Sequence, residues 1–166
     1  MAYFMHRIQF DTKYQKGIEV HETLDAAVLS FWGRVKTAFN NPDNPNMKFV
    51  SCKITDDHGH TVEPYDITWN KEEPTEAQYF LHHIKKDGNS YSKDIDVCDF
   101  DTARSSFAEN LEYGYNNPKF PNVEMVSCEI TDNFGSVVDI YSETWNKPVP
   151  EPEPEPTPEP EEEGEE

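Results

Sequence analysis

The chain has 166 residues and a formal net charge of −19, graded from −1 over residues 1–71 through −3 over 72–78 and −6 over 79–147 to −9 over 148–166. Sequence-independent affinity for nucleic acid comes from Lys and Arg displacing counterions, so this balance argues against direct nucleic-acid binding. MAYFMHRIQF at the start holds no apolar run long enough for a signal peptide or a membrane span, and three cysteines cannot all pair, so a reducing, cytoplasmic compartment is the expected location.

Asn40 to Gly59, NNPDNPNMKFVSCKITDDHG, returns 76 positions later as NNPKFPNVEMVSCEITDNFG, and this duplication decides the organisation. A first repeat covers residues 1–71, an acidic linker 72–78, a second repeat 79–147 and a Pro/Glu-rich tail 148–166. In chain order, Phe4, His6, Ile8 and Phe10 alternate with Tyr3, Met5, Arg7 and Gln9, the period of a strand. Ile18-Glu19-Val20 alternates again, which predicts a hairpin. In the second copy Ile95 and Val97 lie 77 positions on, so one residue is added at the turn and compensated before the helix.

Thr23 and Asp99 are predicted N-caps, each followed by an acidic side chain in the first helical turn, Asp25 or Asp101. Leu24, Ala27, Val28, Phe31, Val35 and Phe39 recur on one helical face, matched by Phe100, Ala103, Phe107, Leu111 and Tyr115. Helices of about four turns are expected, stopped by Asn-Asn-Pro at 40–42 and 116–118. A strand over Met47–Thr55, a turn at Asp56–Gly59 and a strand over Thr61–Trp69 complete each unit. The class is α+β: two tandem repeats, each a ββαββ antiparallel sheet with one helix on one face, followed by a disordered acidic tail.

Phe4, Ile8, Val50, Cys52, Ile54, Leu24, Phe31 and Val35 are expected to form one core. Phe80, Ile84, Val126, Cys128, Ile130, Phe100, Phe107 and Leu111 form the other. That leaves Tyr3, Met5 and Phe49, with Tyr79, Leu81 and Met125, on the opposite sheet face, where they predict a pseudo-twofold contact or a shared groove.

Candidate site residues are few. His6 and His82 lie among core residues, as a base or pH-sensitive group or as core histidines bonded to a backbone carbonyl. Asn40 and Asn41, with Asn116 and Asn117, form a polar loop that contacts a ligand or stops the helix. Tyr65 and Trp69, with Tyr141 and Trp145, close each unit as a binding surface or a core lid. Cys52 and Cys128 read as buried thiols. His58-Gly-His60 is not repeated, and no spacing calls for a metal or a cofactor.

The start YF.H.I, the segment TLDAA..SFWGR, VSC.ITD.G and the closing P.D.TW.K resemble a small tandem-repeat domain of phage and prophage genomes of gut bacteria. The resemblance covers both repeats, is lost through the second helix (Thr102 to Gly114) and brings no site residues with it. It implies a viral or mobile-element origin, and hence a virion accessory protein or an inhibitor of a host system. A non-enzymatic module with a protein partner is the leading expectation. Two alternatives stand beside it: an acidic nucleic-acid mimic that blocks a DNA-binding host protein, and a small-ligand sponge or enzyme using His6 and His82.

Overall fold

The computed structural model describes residues 1–151. The first repeat forms β1 (Tyr3–Phe10), β2 (Tyr14–His21), α1 (Leu24–Val35), β3 (Phe49–Asp56) and β4 (Thr61–Asn70). The second forms β5 (Tyr79–Asp87), β6 (Ser90–Cys98), α2 (Phe100–Leu111), β7 (Val123–Asp132) and β8 (Val137–Asn146). Each set of four strands is one antiparallel sheet, ordered β2-β1-β3-β4 and β6-β5-β7-β8, with one helix against it. The α+β class and the ββαββ order are those that the sequence predicts.

The one-residue difference between the repeats falls in the first hairpin. Phe10 pairs with Tyr14 across three residues, whereas the second hairpin adds an Asp87–Ser90 pair and turns on Gly88 and Asn89 alone. Gly88 has φ +57, a left-handed conformation that glycine adopts without a steric cost. The N-caps are as expected. Thr23 Oγ1 accepts from Ala26 N at 3.3 Å and Asp99 Oδ1 from Thr102 N at 2.9 Å.

Both helices end sooner than the hydrophobic spacing predicts, at Val35 and Leu111. Asn41 Nδ2 donates to the Lys36 carbonyl at 2.7 Å and Asn117 Nδ2 to the Glu112 carbonyl at 2.7 Å, so side chains satisfy carbonyls that a further turn would have used. Phe39, Asn40, Tyr115 and Asn116 then take φ between +56 and +58. Phe39 and Tyr115 are thereby removed from the helical face and stand exposed.

Three apolar clusters form, and their membership corrects the expected strand faces. Ala27, Phe31 and Val35 of α1 pack on Met5, Val50, Cys52 and Ile54 of its sheet, and Ala103 and Phe107 of α2 pack on Leu81, Val126, Cys128 and Ile130. Between the two sheets lie Phe4, Ile8, Ile18 and Phe49 with Phe80, Ile84, Ile95 and Met125. Phe49 and Met125 are at the contact between repeats, as anticipated. Phe4, Ile8, Phe80 and Ile84 join them there instead of the helix-covered cores, and Tyr3, Met5, Tyr79 and Leu81 turn toward the helices. Register explains why. Met5 pairs with Ile54 and Phe4 with Thr55, so Phe4 cannot share a face with Ile54.

The repeats therefore pack sheet against sheet, each helix on an outer face. Their contacts exchange under the 76-residue offset, which is a pseudo-twofold relation within one chain. Asn70 Nδ2 donates to the Asn133 carbonyl and Asn146 Nδ2 to the Asp57 carbonyl, both at 3.0 Å. Gly59 and Gly135, at φ +80 and +82, rest on the Thr144 and Thr68 side chains, where a Cβ would land on the hydroxyl. The repeated turn and the TWNK ending thus serve the contact between repeats. Residues 148–151 carry no regular secondary structure, and the expectation for the rest of the tail, residues 152–166, lies outside the described residues.

Candidate functional site

The expected site residues fall in three places. His6 and His82 meet in the sheet contact, each on an inner strand of its sheet, β1 or β5, and both buried. Their Nδ1 atoms are 3.0 Å apart, while His6 Nε2 lies 2.9 Å from Thr55 Oγ1 and His82 Nε2 2.9 Å from Thr131 Oγ1. The partners are a histidine and a hydroxyl, not the backbone carbonyl that a core histidine was expected to find. Two neutral rings bring two protons to four nitrogens. One ring donates Nδ1–H to the other ring's Nδ1 and accepts its threonine hydroxyl at Nε2, and the second ring donates Nε2–H to its own threonine. Every nitrogen is then satisfied. Burial holds both imidazoles well below the usual range, and the Lys53 ammonium pushes in the same direction.

Beside the rings, Lys53 Nζ contacts Glu129 Oε1 across the interface, both side chains nearly enclosed. The two residues occupy the same position in the two repeats with opposite charge. Lys53 pairs in register with His6 and Asp66, and Glu129 with His82 and Ser142. Burial lowers the Lys53 ammonium to about 8 against the pull of Asp66, and burial raises the Asp66 carboxyl against the pull of Lys53. The space beside the rings is about 10 Å³, at the lower limit for one water.

The other candidates lie on the outer, helix-covered side. Tyr65 meets the Phe31 ring edge-on at 5.6 Å, and Tyr141 meets Phe107 at 5.4 Å. Trp69 and Trp145 are half-buried against the same cores, with Phe39 at 6.2 Å and Tyr115 at 6.1 Å standing over them toward solvent. Asn41 and Asn117 are spent on the helix ends, and each also accepts a backbone N–H, from Asp43 or Lys119. Asn40 and Asn116 supply the left-handed turn. Each repeat thus presents one aromatic corner, Phe39–Trp69 or Tyr115–Trp145, far in sequence from the histidine pair.

Two clefts flank the sheet contact at equivalent places. One, about 440 Å³, lies between the linker and Phe10, Tyr14, Phe49 and Phe80. The other, about 490 Å³, has Lys86, Tyr91 and Met125 there, with Pro148 to Pro150 where the linker would be. Buried Cys52 and Cys128 have thiols pushed up to about 12, which suits packing and not nucleophilic chemistry.

Lys53, Glu129, Thr55 and Thr131 were not anticipated from the sequence. The signal for the charged pair was present, since VSC-Lys-ITD in one copy faces VSC-Glu-ITD in the other. No family model, curated protein or solved structure matches the chain. No helix among the described residues is long and apolar enough to cross a membrane.

Proposed function

We propose that the protein is a non-enzymatic, bivalent protein-binding module whose two like surfaces are the aromatic corners Phe39–Trp69 and Tyr115–Trp145. The observation that carries this reading is that Phe39 and Tyr115 keep φ of +57 and +56 while more than half exposed. A bulky residue in that conformation costs on the order of 1 to 2 kcal/mol. The ring gains little burial in return: the hydrogen bonds of the turn hold it in that conformation, and a partner that covered it would meet an anchor already in place. Exposed aromatics beside a half-buried tryptophan are the kind of anchor from which protein interfaces draw most of their affinity. The resemblance to a phage domain favours a virion accessory protein or an inhibitor of a host system.

A second reading, an acidic mimic of nucleic acid, is supported by Asp94 and Asp96, whose side chains are 54% and 51% exposed on one face of edge strand β6. Asp101, its side chain 88% exposed, stands in the first turn of α2. The two readings separate under salt. Tagged protein, its Phe39→Ala/Tyr115→Ala variant and its Asp94→Asn/Asp96→Asn variant are used to capture partners from host lysate at low and high salt, with circular dichroism confirming the fold. Aromatic-corner binding is lost in the first variant and survives salt, with each single substitution weakening it through lost avidity. Capture that survives the aromatic substitutions but collapses in salt or in the second variant contradicts it in favour of the mimic.

A further inference from the structure

We propose that the His6–His82 pair is an acid-operated latch, holding the two sheets face to face while the rings are neutral and releasing them when both take up a proton. The hydrogen-bond pattern makes the response stepwise. Four nitrogens take part in three contacts: Thr55 to His6, His6 to His82, and His82 to Thr131. A first added proton leaves all three intact, because both rings then donate from Nε2 to their threonines while a single Nδ1–H still bridges them. A second proton sets two N–H groups against each other at 3.0 Å and places two cations in contact inside the interface. No rotation within a space of about 10 Å³ relieves this. Separation of the sheets does.

The charges facing the rings reinforce the effect. On β3 stands Lys53, on β7 Glu129 and on β4 Asp66, while β8 offers only the neutral Ser142. On β2 and β6, Lys16 and Lys93 pair in register with Ile8 and Ile84, and Lys16 is matched with Asp94. The helices lie on the far faces of the sheets. Lys53 repels an added proton, and Glu129, already matched to Lys53, is not free to balance it. Asp66, whose carboxyl burial already biases toward the neutral form, gives up its charge as acid rises. Compensation is thus withdrawn when it is needed.

Released repeats remain tethered through residues 71–78, and each keeps its own helix-covered core. The docked state excludes protons that the separated state binds near the ordinary histidine value of about 6.5. Its formation constant should therefore fall by up to about tenfold per pH unit for each proton excluded.

The test uses the full chain between pH 7.5 and 4.5. Small-angle scattering reads compactness, far-ultraviolet circular dichroism reads the integrity of the units, and ¹⁵N shifts of the histidine rings read protonation. The expected result is a change from one compact body to two tethered lobes, with secondary structure retained and with His6 and His82 taking up protons in the same pH interval. A His6→Gln/His82→Gln chain, which keeps hydrogen-bonding groups but cannot be charged, should stay compact throughout. Should that variant fail to dock at pH 7.5, the wild-type rings decide. Protonation of both rings in a chain that stays compact overturns the proposal, as does expansion with neutral rings or a compact chain with neutral rings down to pH 4.5.

Discussion

Lys53 and Glu129 show how one position can distinguish two otherwise similar units. Placed at equivalent sites with opposite charge, they pair when the first repeat docks on the second, whereas two copies of either repeat would bury like charges. Lys53→Met strands a buried carboxylate and should cost about 3 to 5 kcal/mol, while Lys53→Met with Glu129→Leu should be close to neutral. Urea titrations of Lys53→Met, Glu129→Leu and the double measure the difference, and a double that costs the sum of the two singles would show that the two charges do not interact. Both histidines are held below their ordinary proton affinity, so the unfolded chain binds more protons than the folded one below about pH 6.5. Stability should therefore fall as pH drops from 6.5 toward the folded-state values, by about 1.4 kcal/mol per pH unit for each excluded proton. Urea midpoints between pH 7.5 and 5.5 check the sign, and a flat profile would contradict it. The repeated histidine and the Lys/Glu exchange were both readable in the sequence. That they meet was not, because it depends on which face of β1 the helix covers.

At the scale of the element, capping and turn chemistry were the most legible, since they depend on residues within a few positions of one another. Thr23, Asp99 and the added residue in the second hairpin all lie where spacing alone puts them. The helices end before the point that apolar spacing predicts. Apolar spacing runs on through Phe39 and Tyr115, and nothing in it reveals that Asn41 and Asn117 reach back to cap the chain first. Asn41→Ala removes two hydrogen bonds, to the Lys36 carbonyl and from the Asp43 N–H, and should cost about 1 to 3 kcal/mol, whereas Asn40→Gly should be tolerated because its φ of +58 suits glycine. Thermal unfolding distinguishes these, and a costly Asn40→Gly would mean that its side chain does more than permit the turn. The inverted faces of β1 and β5 have a different origin. Both faces of each sheet are covered, one by a helix and one by the other sheet, so alternation gives the period without naming the partner.

For the whole molecule, the two sheets form one shared interior, and most of what the repeats have in common beyond their cores serves it. The Gly59 and Gly135 turns, the Asn70 and Asn146 side chains and the histidines all cross from one repeat to the other. Faces then predict opposite consequences for neighbouring residues. Phe4→Glu and Phe80→Glu should separate the repeats and leave each unit folded, whereas Met5→Glu and Leu81→Glu, under the helices, should unfold their units. Scattering and circular dichroism on the four variants tell these apart. The docking itself is tested most directly by ¹⁵N nuclear magnetic resonance of the labelled chain at neutral pH, through the scalar coupling that a hydrogen bond transmits between two nitrogens. The account predicts a coupling between His6 Nδ1 and His82 Nδ1, with both rings neutral. Two rings that exchange freely with solvent, with no coupling between them, would contradict it.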